Sequence, residues 1–357
     1  MSSSIQYNDY LQLPKILKAQ DLVSASNSSQ AHDEMLFIII HQTYELWFKQ
    51  LLYEVISVNE IMRKPSLNDN SPELQTVVHR LGRCTTILKL LVHQIDVMET
   101  MTPMDFLDFR DLLRPASGFQ SWQFKELEAR LGLKYSDRHG QDYYISQLSP
   151  DQIELVKKAE SESSLKQLVN LWLERMPFFE ETENWKSFKT DAPSPFGKKD
   201  QIPVFWVDYR HRYAQSLVEA ESQNLQRFDD LFMEPFPHAQ PQNGSGLSLS
   251  ITARRAALFI MLYRGYPILQ LPFQLLTQLL EIDEQLSTWR YRHMSMVQRM
   301  IGTRIGTGGS SGRDYLKSAL DKHYIFKEIA ELTSFLIERR RLPLLSREME
   351  NRLGFAG

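Results

Sequence analysis

Apolar residues recur at spacings of three and four through most of this chain, and that pattern predicts helices. Long amphipathic stripes cover residues 33–63, 72–100, 164–176, 203–233, 250–264, 270–302 and 324–340. Shorter helical patterns fall at 103–114, 119–131 and 313–322. No segment sustains the period-two alternation of a strand bounded by hairpin turns. No internal repeat with a period of about 20–50 residues is found. Pro65, Pro72, Pro103, Pro115, Pro150 and Pro177 separate the early stripes. Two breaker-rich loops, Pro193 to Gly197 and Pro235 to Gly246, are too short to demand a domain boundary. The polar stretch from Lys134 to Leu148 has no assignable pattern. The expected fold is all-α: one large helical-bundle domain over residues 32–357, preceded by an arm over 1–31. That arm carries Tyr7, Tyr10, Leu11 and Leu13 ahead of a polar run from Ser24 to Gln30, so it packs either on its own core or on something outside it.

Two stripes contain a histidine. Phe37, Ile40, Tyr44, Phe48, Leu51 and Val55 line one face of the first long helix, and His41 shares that face. Leu286, Trp289, His293, Met296, Val297 and Met300 do the same near the end of 270–302. An imidazole among apolar neighbours is either a satisfied core group or a pocket residue. Polarizable methionines and Trp289 suit a flat apolar cofactor and an ordinary core alike. A neutral His293 could ligate haem iron through one ring nitrogen.

Two further segments carry chemistry. Arg110 follows Phe106 by four and precedes Leu113 by three, which puts a guanidinium on an apolar face where it needs an anion. Asp105, Asp108 and Asp111 could serve, or a bound carboxylate could. Gly302 suits the end of the His293 helix, and the glycines, serines and Thr307 up to Gly312 form a loop that either closes on a small anion or simply connects. A nucleotide phosphate loop is excluded, because Arg313-Asp314 stands where Lys-Ser/Thr should follow and no strand precedes.

Composition narrows the field. The chain has 357 residues, 42% hydrophobic and 24% charged, as an ordinary globular protein does. Its 41 basic and 44 acidic residues give a net charge of −3, which argues against nucleic acid as partner. Arg339-Arg340-Arg341, flanked by Glu338 and Pro343, reads as a charged helix end. The single cysteine, Cys84, rules out an intramolecular disulfide and fits a reducing compartment. Met1 to Tyr10 lacks signal-peptide character and no apolar run would span a bilayer, so a cytoplasmic protein with no membrane association is expected. The chain has no His-Glu-x-x-His, Cys-x-x-Cys or Gly-x-Ser-x-Gly motif. His32, Asp33 and Glu34 read as a helix start with acids near the positive dipole end.

Four stretches together resemble the tryptophan 2,3-dioxygenase family. They are HDEMLFIIIHQTYELWFKQLLYEV, METMTPMDFLDFRDLLRPASGFQS, LPFQLLTQLLEID and WRYRHMSMVQRMIGTRIGTGGSSG, in the family's order and at compatible spacing. The resemblance implies an all-helical homotetramer, a dimer of dimers, with haem b bound between helices. Its ferrous form would take O2 and open the indole ring of L-tryptophan between C2 and C3, giving N-formylkynurenine. By the same resemblance His293 is the proximal iron ligand, and His41 the distal histidine at the indole nitrogen. Arg110 matches the partner of the substrate carboxylate, and Thr307 a contact to the amino-acid end. Phe37, Phe106 and Leu113 match apolar pocket positions, and Ser117 a hydroxyl near the distal haem face. Tyr7 and Tyr10 match tyrosines given by a neighbouring subunit's arm. Met35 and Arg313-Asp314 depart from residues common in the family. Two rivals are a haem oxygenase-type relative acting on a modified tryptophan and a non-catalytic haem or amino-acid sensor.

Overall fold

The computed structural model describes residues 5–26, 30–65, 67–133, 148–175, 185, 188–192, 202–233, 249–304 and 323–354. The Gly306–Gly312 loop with Thr307, the pattern at 313–322, both breaker-rich loops and most of 134–148 lie outside these residues. All regular structure among the described residues is helical. In chain order the helices are α1 (Tyr7–Tyr10), α2 (Leu13–Ile16), α3 (Asp33–Met62), α4 (Pro72–Met98), α5 (Pro103–Arg110), α6 (Trp122–Leu131), α7 (Pro150–Ser161) and α8 (Leu165–Glu174). There follow α9 (Val204–Ser216), α10 (Gln223–Phe232), α11 (Ile251–Leu262), α12 (Pro267–Ile301), α13 (Lys327–Glu331) and α14 (Arg347–Leu353).

Helices α3, α4 and α12 form the frame. Buried residues of α4 repeat as Leu74, Val77, Leu81, Cys84, Leu88, Leu91, Ile95 and Met98. This alternation of three and four is the spacing of a coiled-coil seam. Phe48, Leu51, Val55, Val58 and Met62 repeat it in α3, and Leu269, Pro272, Leu276, Leu279, Asp283, Leu286 and Arg290 in α12. Polar cross-links fix the directions. Tyr44 donates to the Leu91 carbonyl and Gln94 to that of Ile40, while Arg83 pairs with Glu54 near the other end, so α3 and α4 are antiparallel. Thr85 meets Gln278, Lys89 meets Glu281 and Asp96 meets Arg292, so α4 and α12 are parallel. The start of α3 and the ends of α4 and α12 therefore meet at one end of the bundle. There a second apolar cluster, including Ile40, Met98, Met101, Phe109 and Met300, stands apart from the main core.

Capping sets several boundaries. Ser71 accepts from the Leu74 N–H with Pro72 as first helical residue, and Thr102 and Asp105 form a capping box at α5. Two long stripes are broken in ways that periodicity does not reveal. The 203–233 pattern splits into α9 and α10 around an extended Leu217. The split lets Phe228 stack on Tyr213 at 5.2 Å; in one continuous helix they would stand about 22 Å apart. The 324–340 stripe becomes α13 and the 3-10 turns Leu332–Phe335 and Arg339–Arg341. Tyr213 and Tyr209 take the carbonyls of Ser334 and Phe335, which a longer helix would have used itself. Helices α7 and α14 lie outside every stripe read from the sequence. The Ser149–Gln152 capping box and the Ser346 cap were their local signals.

Asp283 is buried at a polar seam position and accepts from the backbone N–H groups of Ile325 (3.1 Å) and Phe326 (2.5 Å). Burial pushes its pKa up from 3.8 to about 6, against the pull of those two donors and of Arg290. The folded state thus holds this proton more tightly than the unfolded chain does. The group costs stability progressively as pH rises from about 4 to about 6, and in full above that. Asp283→Asn is expected to flatten stability across this window by at most about 3 kcal/mol, read from urea midpoints of both proteins at a series of pH values.

Candidate active site

Both histidines of the sequence stripes continue the bundle seams beyond the packed core. Followed back from Phe48, the α3 seam passes Tyr44, His41 and Phe37. Followed on from Arg290, the α12 seam reaches His293. The helices bring these positions to the same end of the bundle, and the two imidazoles lie close enough that a charge on His41 disfavours one on His293.

His41 packs on Phe37 with ring centroids 4.1 Å apart, and its Nδ1 is 2.7 Å from the Phe37 carbonyl oxygen. A carbonyl can only accept, so Nδ1 carries the proton. Burial lowers the pKa of the ring, opposed by that hydrogen bond and by Glu45, so the neutral form dominates near pH 7. A neutral ring protonated at Nδ1 presents Nε2 as an acceptor. Phe37 also stacks on Phe106 at 5.6 Å and meets Phe109 edge-on at 5.5 Å. Leu113 and Met296 pack on the same cluster. The structure thus brings Phe37, His41, Phe106 and Leu113 together. It adds Phe109, fully buried, which the sequence reading passed over because it lies off the Phe106–Arg110–Leu113 face.

Arg110 is the last residue of α5 and is buried, with 4% of its surface exposed. Among the aspartates of this segment, Asp105 accepts from Thr102, Asp111 lies 3.3 Å from Arg114 and Asp108 is exposed; Arg110 has polar or electrostatic company of its own. Ser117 caps a 3-10 turn, Gly118–Gln120, its hydroxyl accepting from the Phe119 N–H, so the hydroxyl is engaged locally. Tyr7 and Tyr10 are 72% and 73% exposed and do not reach this chain's own cluster.

On the other side, Trp289 lies parallel to His293, with centroids 5.2 Å and planes 4° apart. Tyr44 at 6.1 Å and Phe124 at 5.0 Å hold the indole in place. Residues flanking His293 are tied down: Arg292 to Asp96 (2.6 Å) and Glu99 (3.1 Å), and buried Arg290 to Glu128 (2.6 Å). Burial, then repulsion from His41, drops the His293 pKa to about 4, so its ring is neutral. Its Nδ1 is buried without a hydrogen-bond partner among the described residues.

These features fit a haem. Among the described residues no group of three or more His, Cys, Asp or Glu side chains could hold a bare metal ion. A haem iron takes from a protein one neutral, oriented imidazole, and His293, stacked on Trp289 with its Nδ1 unpartnered among the described residues, offers one.

Among the described residues, an all-helical fold brings two neutral imidazoles and a buried arginine to one end of the bundle. The chain belongs to the tryptophan 2,3-dioxygenase family, whose model matches residues 1–336. It is 44% identical to a tryptophan 2,3-dioxygenase of Bdellovibrio bacteriovorus, over 98% of both chains. It is 46% identical to one of Alteromonas mediterranea, over 98% of this chain and 97% of that one. With the Mus musculus protein of the same name it shares 40% identity, over 95% and 84% respectively.

Since Trp289 fixes the plane of His293, Trp289→Leu is expected to weaken haem binding about 10-fold or more. Soret titration of the apo-protein, with helicity checked by circular dichroism, measures this.

Proposed function

We propose that this chain is a haem-dependent dioxygenase that converts L-tryptophan and O2 to N-formylkynurenine, the entry step of tryptophan catabolism. The observation that carries the proposal is the pairing of His41 and His293, both neutral, across an apolar cluster with Arg110 buried at the end of α5. When bound, haem b supplies a ferrous iron able to activate O2, which otherwise reacts poorly with closed-shell indole. His293 holds the iron, and Trp289 holds His293.

The remaining work belongs to the protein. Phe37, Phe106 and Leu113 exclude water and give the indole an apolar slot. Nε2 of His41, left as an acceptor by the Nδ1–Phe37 bond, receives the indole N–H and orients the ring. Arg110 pairs with the substrate carboxylate, and Thr307 contacts the amino-acid end; together they fix which indole edge faces the reaction centre. Ser117, its hydroxyl held by the turn it caps, would stand near the substrate side of a bound haem.

The active form is a homotetramer, a dimer of dimers. The exposure of Tyr7 and Tyr10 supports an arm that completes a neighbouring copy's site. No helix among the described residues is long and apolar enough to cross a membrane. The single cysteine and the balanced charge support a cytoplasmic enzyme without nucleic-acid partners.

Reduced, haem-loaded protein mixed with L-tryptophan and labelled O2 is expected to give N-formylkynurenine carrying both labelled atoms, by mass spectrometry of the product. A singly labelled product would mean monooxygenation and overturn the assignment. Arg110→Ala is expected to raise the dissociation constant for L-tryptophan, at a cost of about 2–5 kcal/mol. Unchanged affinity in a calorimetric titration would place Arg110 in a purely structural ion pair.

A further inference from the structure

Glu34 lies in the first turn of α3 with none of its surface exposed. Its two oxygens are held by consecutive backbone donors of the arm: Oε1 accepts from the Val23 N–H at 2.8 Å and Oε2 from the Ser24 N–H at 2.9 Å. Among the described residues no cation pairs with it, so these two bonds and the positive end of the helix dipole stabilise the buried side chain. Ser24 is also fully buried, and its hydroxyl accepts from the Ala31 N–H at 3.0 Å. The 3-10 turn so formed, Val23–Ser26, packs on the 3-10 turn Asp111–Leu113 that follows Arg110 directly. Ala31 belongs to the same buried cluster as Phe109, with Leu113 packed against it.

Removing a buried, doubly bonded carboxylate leaves two backbone donors stranded and frees the turn they belong to. The loosened turn is the surface on which the Arg110–Leu113 segment rests.

We propose that Glu34 is a positioning residue that locks the Val23–Ser26 turn against the segment after Arg110 and so holds the guanidinium in register with the substrate carboxylate. The proposal rests on the assignment of Arg110 given above. The braced segment carries both Arg110 and Leu113, so loosening it is expected to cost the carboxylate end of the substrate more than the indole end.

The test compares equilibrium binding of L-tryptophan and of tryptamine, which has the same indole and no carboxylate, to the haem-loaded full chain. Glu34→Gln keeps the size of the side chain but turns an NH2 toward one of the two donors. It is expected to weaken L-tryptophan about tenfold and tryptamine several-fold less than that. Amide exchange in the segment 18–26, followed by mass spectrometry, is expected to accelerate. Equal losses for both ligands, or undiminished L-tryptophan affinity, would overturn the proposal. If Glu34→Gln does not fold, Ser24→Ala, which loosens the same turn from the other side, must show the same split between ligands. Wild-type protein that takes up haem but binds neither ligand would overturn the functional reading instead, so the two failures are distinct.

Discussion

The site depends on the seam that α3, α4 and α12 share. Side chains repeating at three and four lock these helices in a fixed register, antiparallel for α3 and α4 and parallel for α4 and α12. Once that register is set, the positions of His41 and His293 follow without further design, because each is the next seam position outward from the core. The frame is apolar in its middle, and at one end a second buried cluster gathers Phe109 with the methionines of α4 and α12. His41 and His293 inherit the rigidity of the bundle, since each sits on a helix of 30 residues or more.

Rigidity matters because the groups involved must stay neutral and oriented. Burial holds both imidazoles in the uncharged form, and hydrogen bonding or stacking then selects a tautomer for His41 and a ring plane for His293. Tyr44 stands three residues from His41 and edge-on to Trp289, so a single helix face steadies both sides of the site. Charged groups serve a separate purpose. The ion pairs of Arg290 and Arg292 fix the backbone just before His293, and Glu34 fixes the turn beside Arg110.

Much of this was legible in the sequence. The long helices, the two histidines on apolar faces and the buried Arg110 follow from periodicity, because a helix long enough to be read is also long enough to position what it carries. Other features depend on contacts between distant segments. The break at Leu217 and the early end of α13 are consequences of Phe228 packing on Tyr213 and of tyrosine hydroxyls claiming backbone carbonyls. The role of Glu34 was hidden for a related reason. An acid at the start of a helix already has a sufficient local explanation in the dipole, and only the folded arm shows its second one.

The parallel arrangement of α4 and α12 has a consequence for how the molecule comes into being. Parallel neighbours cannot be joined by a short turn, and here about 170 residues intervene between the end of α4 and the start of α12. His41 is made early and His293 some 250 residues later, so during synthesis the site is the product of contacts with very long sequence separation. Closing such a loop adds only modestly to the entropy cost but slows the search for the native pairing. Until α12 has been made, the face of α4 that packs on it has no partner, and the chain stays exposed there until the segment that carries His293 emerges.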